Sequence, residues 1–317
     1  MRIAILGATS QIAKDLIVSF SLAKNNQLHL FARRPNEVSA WLATTGLAAR
    51  YPADNFGEFA KHDFDAVINF VGVGNPARTA EMGNAIFDIT AQYDQLVLDY
   101  LQTHPVCRYL FLSSGAAYGS GFKEPANQNT AASIAINNLA PHEWYGVAKL
   151  YAECRHRALP EWPIIDIRVF NYFSHTQDIA ARFLITDILR AIRDNAVLKT
   201  SDDYIMRDFI GPDDFYRLVN ALLLADPTNT AVDVYSRAPI DKPTLLNAMQ
   251  DKFGLRYEVI DSTAGVNATG GKPHYYSMNK RAADFGYQPS LTSLEGVLQE
   301  SEKIFSRNSL GTDLSLR

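Results

Sequence analysis

A tyrosine and a lysine four residues apart could together handle a proton. Tyr145 and Lys149 open a segment with helical spacing, in which positions i and i+4 share one face. A neighbouring ammonium favours the phenolate and lowers the phenol's pKa, so Tyr145 could exchange a proton with a substrate oxygen. The same spacing recurs at Tyr276 and Lys280. We interpret that second pair as accidental, because no hydroxyl-bearing strand end precedes it.

A serine turn precedes the tyrosine–lysine pair in the chain. Ser114 directly follows the apolar run Arg108–Ser113, which predicts a strand. Ligands of open parallel sheets bind beyond the carboxyl ends of the strands. An ordinary serine–glycine turn has the same composition. The order of the two features nevertheless favours a catalytic set in which Ser114 hydrogen-bonds the oxygen that Tyr145 protonates.

The amino terminus has the residues of a dinucleotide-binding loop. The strand-like run Arg2–Leu6 leads into a loop and then into the helical pattern Ile12–Ala23. N–H groups at the start of that helix would hold a pyrophosphate. The spacing is that of a Gly-x-x-Gly-x-x-Gly loop with only the first glycine present, so a plain strand–turn–helix stays open as an alternative. The predicted cofactor contacts in this loop are Gly7, Thr9, Ser10, Gln11 and Ile12.

The end of the second predicted strand bears on the choice of cofactor. The run Leu28–Ala32 is followed by Arg33 and Arg34, with no acidic residue. An acid at this point suits the ribose 2′-hydroxyl of NAD, whereas arginine suits the 2′-phosphate of NADP. We therefore predict NADP in preference to NAD, with two solvated arginines as the alternative.

The pattern of elements predicts an α/β protein. Further strand-like runs at Asp65–Val71 and Ile164–Phe170 alternate with helical patterns. This alternation is typical of a Rossmann fold with a doubly wound parallel sheet. Beyond residue 170 the rhythm changes, with helical patterns at 178–194 and 213–225. The predicted division is a cofactor-binding domain at 1–170, to which about 208–235 return, a smaller C-terminal substrate domain at 171–305, and a loose tail at 306–317.

Four further segments carry a family resemblance. They are Arg168–Asn171, Arg207–Asp214, Ser277–Lys280 and Phe285–Pro289, which occur in this order. With the loop and the Tyr-x-x-x-Lys pair, the chain from residue 2 to about 305 resembles the extended short-chain dehydrogenase/reductase family, also described as NAD-dependent epimerases and dehydratases. The resemblance implies a nicotinamide-dependent enzyme acting on a nucleotide-linked sugar.

The resemblance also implies residue roles. Ser114 would hold the substrate oxygen, Tyr145 would be the acid/base, and Lys149 would lower its pKa and hold the nicotinamide ribose. Arg207 would bind the substrate diphosphate, although an ion pair with Asp208 or Asp213 is the alternative. Asp63 is a candidate for an adenine contact. Further implied contacts are Phe70, Val71, Gly72, Ser113 and Phe170 to the cofactor and Asn171 to the diphosphate.

The residues after Ser114 bear on the reaction. Gly115 and Ala116 stand where the family's dehydratases carry an Asp-Glu pair, which argues against dehydration. Arg33 and the loop with one glycine favour an exchanging cofactor, and so a 4-ketoreductase. A 4-epimerase acting by transient oxidation remains the alternative. A non-catalytic nicotinamide sensor, or a reductase of small carbonyl compounds, are the remaining hypotheses.

The overall composition excludes several other classes. The net charge of −4 gives no basic surface for nucleic acid. Cys107 and Cys154 lack metal-ligand spacing, so they predict no zinc site. No apolar run is long enough to cross a bilayer and no signal peptide is evident, so we expect a cytoplasmic protein. The helical patterns before Cys107 and after Tyr145 could form a homodimer.

Overall fold

The computed structural model describes residues 1–23, 26–72, 79, 81–260 and 272–311, with the backbone alone at 307–311. Its strands are β1 (Arg2–Leu6), β2 (Gln27–Phe31), β3 (Ala53–Asp54), β4 (Ala66–Asn69), β5 (Arg108–Ser114), β6 (Ile164–Val169), β7 (Asn171–Tyr172), β8 (Val197–Ser201), β9 (Met206–Arg207), β10 (Phe209–Ile210), β11 (Thr230–Asp233), β12 (Ile240–Asp241), β13 (Arg256–Ile260) and β14 (His274–Tyr275). Its α-helices are α1 (Gln11–Ala23), α2 (Pro35–Thr44), α3 (Ala85–Thr103), α4 (Trp144–Arg157), α5 (Leu184–Arg193), α6 (Pro212–Leu224), α7 (Lys242–Phe253) and α8 (Ser293–Gly311).

The main sheet confirms the predicted doubly wound architecture. Seven parallel strands lie in the order β11-β6-β5-β4-β1-β2-β3. Strand β4 is buried along its whole length, as a run between two layers of helices must be. One face of the sheet packs against α1, α2 and α6, and the other packs against α3 and α4. The carboxyl ends of β1, β4 and β5 therefore meet along one edge of the sheet.

The second half of the chain builds a separate core and also completes the main sheet. Phe173, Ile188, Leu245, Met249 and Val297 belong to a core of their own. Helix α6 and strand β11 instead join the main core and the sheet edge beside β6. The separate core supports the predicted division into two domains at residue 170, which stays a proposal.

Two element boundaries differ from the sequence prediction. Helix α5 begins at Leu184 rather than at 178, because Asp178 and Thr186 bind backbone groups of a preceding turn. Helix α8 continues to Gly311, beyond residue 306, where the predicted tail begins, and the tail stays a prediction. Residues 312–317 lie outside the described part of the chain. Among the described helices, none combines the length and apolar character needed to cross a bilayer.

The far end of α4 holds a cluster of buried charges. The two ring nitrogens of His156 lie 2.7 Å from Asp94 and 2.6 Å from Asp166. All three side chains are inaccessible to solvent. Burial lowers the pKa of His156, but the two carboxylates outweigh it and raise the pKa to about 9. Arg155 also joins α4 to α3 through Asp94, at 2.8 Å; the homodimer through these helices stays a prediction.

Candidate active site

Ser114 is fixed at the carboxyl end of β5. Its hydroxyl accepts a hydrogen bond of 3.2 Å from the N–H of Ala116, in the short 3-10 turn Gly115–Tyr118. The same hydroxyl lies 3.3 Å from the phenol oxygen of Tyr275. The backbone therefore orients Ser114 towards a group that comes from the far end of the chain.

Helix α4 brings Tyr145 to this serine through a close backbone contact. A Cβ atom at Gly146 would lie 2.5 Å from the carbonyl oxygen of Ala116, so only glycine lets the helix approach the turn so closely. Tyr145 comes close enough to Ser114 for that side chain to act on the pKa of the phenol. The predicted meeting of Ser114 and Tyr145 is thus present in the structure.

The electrostatics of Tyr145 differ from the prediction. Burial raises its pKa, and Tyr275 adds to this, while the hydrogen bond with Ser114 opposes it. The predicted lowering by Lys149 is not present, because the ammonium lies 5.9 Å from the centre of the phenol ring and donates to the carbonyl of Leu112 at 2.7 Å. Tyr145 is therefore a neutral phenol at neutral pH, which suits a proton donor.

Lys149 is a buried cation held by neutral groups. Its ammonium lies 4.3 Å from the ring centre of Phe111 and donates to a backbone carbonyl. Burial lowers the pKa of Lys149 to about 8, although the carboxylates of Asp94, Asp166 and Glu153 oppose the shift. A Cβ atom at Gly72 would lie 3.3 Å from the ammonium nitrogen. The end of β4 and Lys149 therefore border the same space.

The dinucleotide loop lies at the same edge of the sheet. Gly7 has a φ of +78°, and a Cβ atom there would lie 2.9 Å from the backbone of both Phe70 and Val71. The hydroxyl of Ser10 accepts from the N–H of Ala13, in the first turn of α1. Thr9 is exposed, while Ser10, Gln11 and Ile12 are half-buried. Gly7, the one glycine of the loop, is therefore the residue that the close approach of this loop to the end of β4 requires.

Among the other predicted cofactor contacts, four lie near the loop or just beyond β2, and Ser113 points away from them. Phe70 is buried, whereas Val71 and Gly72 are half-buried beside the loop. Arg33 is exposed just beyond β2. Ser113 points elsewhere: its hydroxyl donates to Glu153 at 2.5 Å, so a side-chain contact from Ser113 to a cofactor does not fit this arrangement.

The ring of Phe170 covers the turn after Ser114. A Cβ atom at Gly115 would lie 2.4 Å from two carbons of that ring. Any larger residue at 115 would displace Phe170. The absence of an acid at position 115 therefore agrees with the packing of the site.

The predicted substrate-binding residues surround Tyr275. The amide of Asn171 donates to the carbonyls of Tyr275 and Asp208, at 3.2 and 3.3 Å. The guanidinium of Arg207 lies 5.9 Å from the ring centre of Tyr275 and donates to the carbonyls of Met206 and Lys272, each at 2.8 Å. Burial lowers the pKa of Arg207 to about 10, with Tyr275 opposing it. The carboxylate of Asp208 instead accepts from the N–H of Ser236.

Two residues near this group were not predicted. The hydroxyl of Tyr275 reaches Ser114, and the ammonium of Lys272 lies 4.7 Å from the ring centre of Tyr275. Burial and the neighbouring Arg207 lower the pKa of Lys272 to about 8, with Glu143 opposing them. The sequence signal available for both was their position just before Ser277–Lys280, a segment that carries the family resemblance.

The acid of the third strand is Asp54 rather than Asp63. Strand β3 ends at Asp54, whose carboxylate lies 2.7 Å from the ring nitrogen Nε2 of His29. Asp63 precedes the amino end of β4 and pairs with His104 at 3.3 Å. Since the dinucleotide loop lies at the carboxyl ends of the strands, this placement argues against an adenine contact by Asp63.

Comparison with known proteins supports the family predicted from the motifs. The model of the NAD dependent epimerase/dehydratase family matches residues 3–235. UDP-glucose 4-epimerase 2 of Oryza sativa subsp. japonica is 32% identical over 117 residues, which are 36% of this chain and 27% of that protein. The chain therefore matches about a quarter of the length of this relative.

Solved structures show the same fold. UDP-glucose 4-epimerase from Thermotoga maritima, solved with UDP-glucose, has a TM-score of 0.78 at 15% identity, covering 97% of this chain and 99% of that one. UDP-glucuronic acid 4-epimerase from Bacillus cereus, solved with UDP-glucuronic acid and NAD, has a TM-score of 0.75 at 16% identity, covering 97% and 100%. At these identities the likeness shows the fold alone.

Proposed function

Because this chain belongs to the NAD dependent epimerase/dehydratase family, we propose that it transfers a hydride to or from C4 of a nucleotide-linked sugar. The carrying observation is that Ser114 lies 3.3 Å from the hydroxyl of Tyr275 and acts on the pKa of Tyr145, while Arg207 and Lys272 lie against the ring of Tyr275. A proton-handling group thus stands beside two cations that suit a diphosphate.

The chain's own residues would handle the substrate oxygen and its proton. In the reducing direction, Tyr145 donates its phenolic proton to the ketone oxygen, and Ser114 holds that oxygen in place. Ser114 is buried and Tyr145 is half-buried, and surroundings of low polarity strengthen such hydrogen bonds. A bound nicotinamide would supply the hydride. Lys149, at the border of Gly72, would donate to a cofactor ribose hydroxyl and keep a positive charge near the reacting atoms.

The residues of the loop fit a dinucleotide. Gly7 lets β1 and β4 approach, and the first turn of α1 offers N–H groups to a pyrophosphate. For the choice of cofactor we favour NADP, because exposed Arg33 lies just beyond β2 and forms no ion pair with the described residues. Its neighbour Arg34 pairs with Glu37 at 2.8 Å. NAD is the alternative, as the related solved epimerase contains it.

Replacing Arg33 tests this choice. We expect Arg33→Ser to lower kcat/KM for NADPH by about 10- to 100-fold with little change for NADH, because a charge-assisted contact is worth about 1.5–3 kcal/mol. Arg34→Ser is the matched control, since that arginine is already paired, and its cofactor ratio should stay at the wild-type value. Equal ratios in all three proteins would contradict a role for Arg33.

Net reduction of a 4-keto sugar is the direction we favour. An enzyme that consumes NADPH must exchange its cofactor, and the loop that retains one glycine suits exchange better than permanent retention. Dehydration fits poorly, because the packing of Phe170 on Gly115 leaves no room for an acid at position 115 and position 116 is an alanine.

Epimerisation at C4 is the second candidate. It is favoured by the relatives, since the rice protein and the solved structures from Thermotoga maritima and Bacillus cereus are 4-epimerases. Both reactions share the half-reaction in which Tyr145 exchanges a proton with the C4 oxygen.

One assay separates net reduction from epimerisation. The purified protein is mixed with NADPH or NADH and a panel of 4-keto-6-deoxy sugar nucleotides, and the absorbance of the reduced nicotinamide is followed. Stoichiometric loss of NADPH supports the reductase. Inversion of UDP-sugars at C4 without net loss supports the epimerase. Silence in both channels, with no competition by UDP, GDP, CDP or dTDP for any binding, would contradict the nucleotide-sugar proposal.

A further inference from the structure

Three metal-binding side chains meet at the outer edge of the main sheet, away from the group formed by Ser114, Tyr145 and Tyr275. His29 lies on β2, Asp54 ends the edge strand β3, and His62 follows the 3-10 turn Phe56–Lys61. One nitrogen or oxygen atom from each residue lies within 4.8 Å of those of the other two. It is the one such group of three found among the residues that the structure describes.

The backbone around the three side chains is well anchored. The ring of His29 stacks on Phe31, with 4.4 Å between ring centres. Asp54 is held by the pairing of β3 with β2. The carbonyl of His62 accepts a hydrogen bond of 3.1 Å from the hydroxyl of Tyr100. These contacts hold the ring of His29, the strand that carries Asp54 and the backbone at His62 in place.

The ligand atoms are arranged around a position open to solvent. The Nε2 atom of His29 lies 2.7 Å from the carboxylate of Asp54, so a proton must lie between them. The ring centres of His29 and His62 are 4.6 Å apart, and His62 is exposed. The ligand atom of His62 already lies within 4.8 Å of those of His29 and Asp54, and its side chain is exposed. A cation could then replace the shared proton.

We propose that His29, Asp54 and His62 form a binding site for a divalent transition metal of the zinc class. Two imidazoles and one carboxylate are a donor set that zinc uses with three protein ligands and a fourth position for water. Imidazole also suits Cu²⁺, Ni²⁺ and Co²⁺, whereas Mg²⁺ and Ca²⁺ prefer an all-oxygen set. The site would tie β2, β3 and the segment after the 3-10 turn together.

Titration of the full chain with Zn²⁺ tests the proposal. The protein is stripped with a chelator, dialysed and titrated by calorimetry at pH 7.5. We expect one Zn²⁺ per chain, a rise in Tm on binding, and no comparable binding of Mg²⁺. His62→Gln and Asp54→Asn should each weaken binding by about 10-fold or more, since even indirect partners of a metal ligand are worth 10- to 100-fold. His62 is exposed, so its replacement leaves the core intact.

His104→Gln is the matched control. His104 stacks on Tyr100, the residue that also holds the backbone of His62, and it pairs with Asp63 at 3.3 Å. His104 and Asp63 offer a metal only two side chains, whereas the proposed site offers three. Its variant should bind Zn²⁺ as the wild type does. The proposal is overturned if the wild type shows no saturable binding, or if His62→Gln and Asp54→Asn both bind with wild-type affinity.

Discussion

Helix α4 begins in the candidate active site and ends in the cluster of buried charges, and its two ends treat charge differently. Near the beginning, the ammonium of Lys149 contacts a backbone carbonyl and an aromatic ring, and burial lowers its pKa to about 8. At the end, His156 lies between two carboxylates that raise its pKa to about 9. His156, which has a structural role, is in direct contact with two carboxylates. Lys149, which we propose to meet a ligand, contacts a backbone carbonyl and a ring instead of a carboxylate.

The largest expected effect is at the beginning of the helix. Tyr145→Phe should lower kcat by about 10²- to 10⁴-fold, because the proton donor is lost. Cofactor affinity, followed by quenching of protein fluorescence, should stay near the wild-type value. Tyr276→Phe is the control, since it removes the tyrosine of the other Tyr-x-x-x-Lys match. Near-normal turnover by Tyr145→Phe would remove this residue from the mechanism.

A smaller effect is expected at the end of the helix. His156→Gln should lower the free energy of unfolding by about 3–5 kcal/mol near neutral pH, because two buried carboxylates lose their cation. The folded protein keeps the His156 proton to about pH 9, whereas the unfolded chain releases it near 6.5. The loss should therefore be full below pH 6.5 and shrink as the pH rises towards 9.

Urea unfolding of both proteins at several pH values measures this difference. Arg157→Gln is a useful control, since Arg157 also reaches Asp166, at 2.5 Å, but is partly exposed. A pH-independent difference between wild type and His156→Gln would show that the imidazole is not charged in the folded protein.

The smallest effect should have the opposite sign. Lys149→Met should raise the free energy of unfolding at pH 7 by about 1–3 kcal/mol, because the buried ammonium destabilises the fold. Between pH 8 and 10.5 the unfolded chain binds a proton that the folded wild type has lost, so wild-type stability rises with pH there. The advantage of Lys149→Met should therefore disappear across that window.

Measuring both the turnover and the free energy of unfolding of Lys149→Met makes this test specific. Lys149→Met should lose turnover while it gains stability. A variant that is less stable than the wild type at pH 7 would contradict the contrast between the two ends of α4.

Local patterns in the sequence were enough to predict the fold and the beginning of α4. Runs such as Arg2–Leu6 are apolar at every position but the first, and Tyr145 and Lys149 share one helix face at a fixed spacing. The helix and strand assignments of the first 170 residues depend on such short-range order, and the sheet confirms their architecture.

Contacts between distant segments could not be predicted in the same way. Tyr275 meets Ser114 across 161 residues, and nothing near either one specifies the other. Ser113 has the same sequence context as Ser114, but the alternation of side chains along β5 turns its hydroxyl to Glu153. Asp54 was missed because β3 has only two residues, too few to show any periodicity.

The late position of β11 has a consequence for synthesis. Its partner β6 ends at Val169, yet β11 ends at Asp233, so 64 residues separate the two ends. At typical elongation rates the ribosome needs about 3 to 13 s to add that length. During this interval the nascent chain carries an unpaired strand edge at β6, a surface on which other chains can add. The main sheet of the first 170 residues is therefore completed only when residues 230–233 have been synthesised.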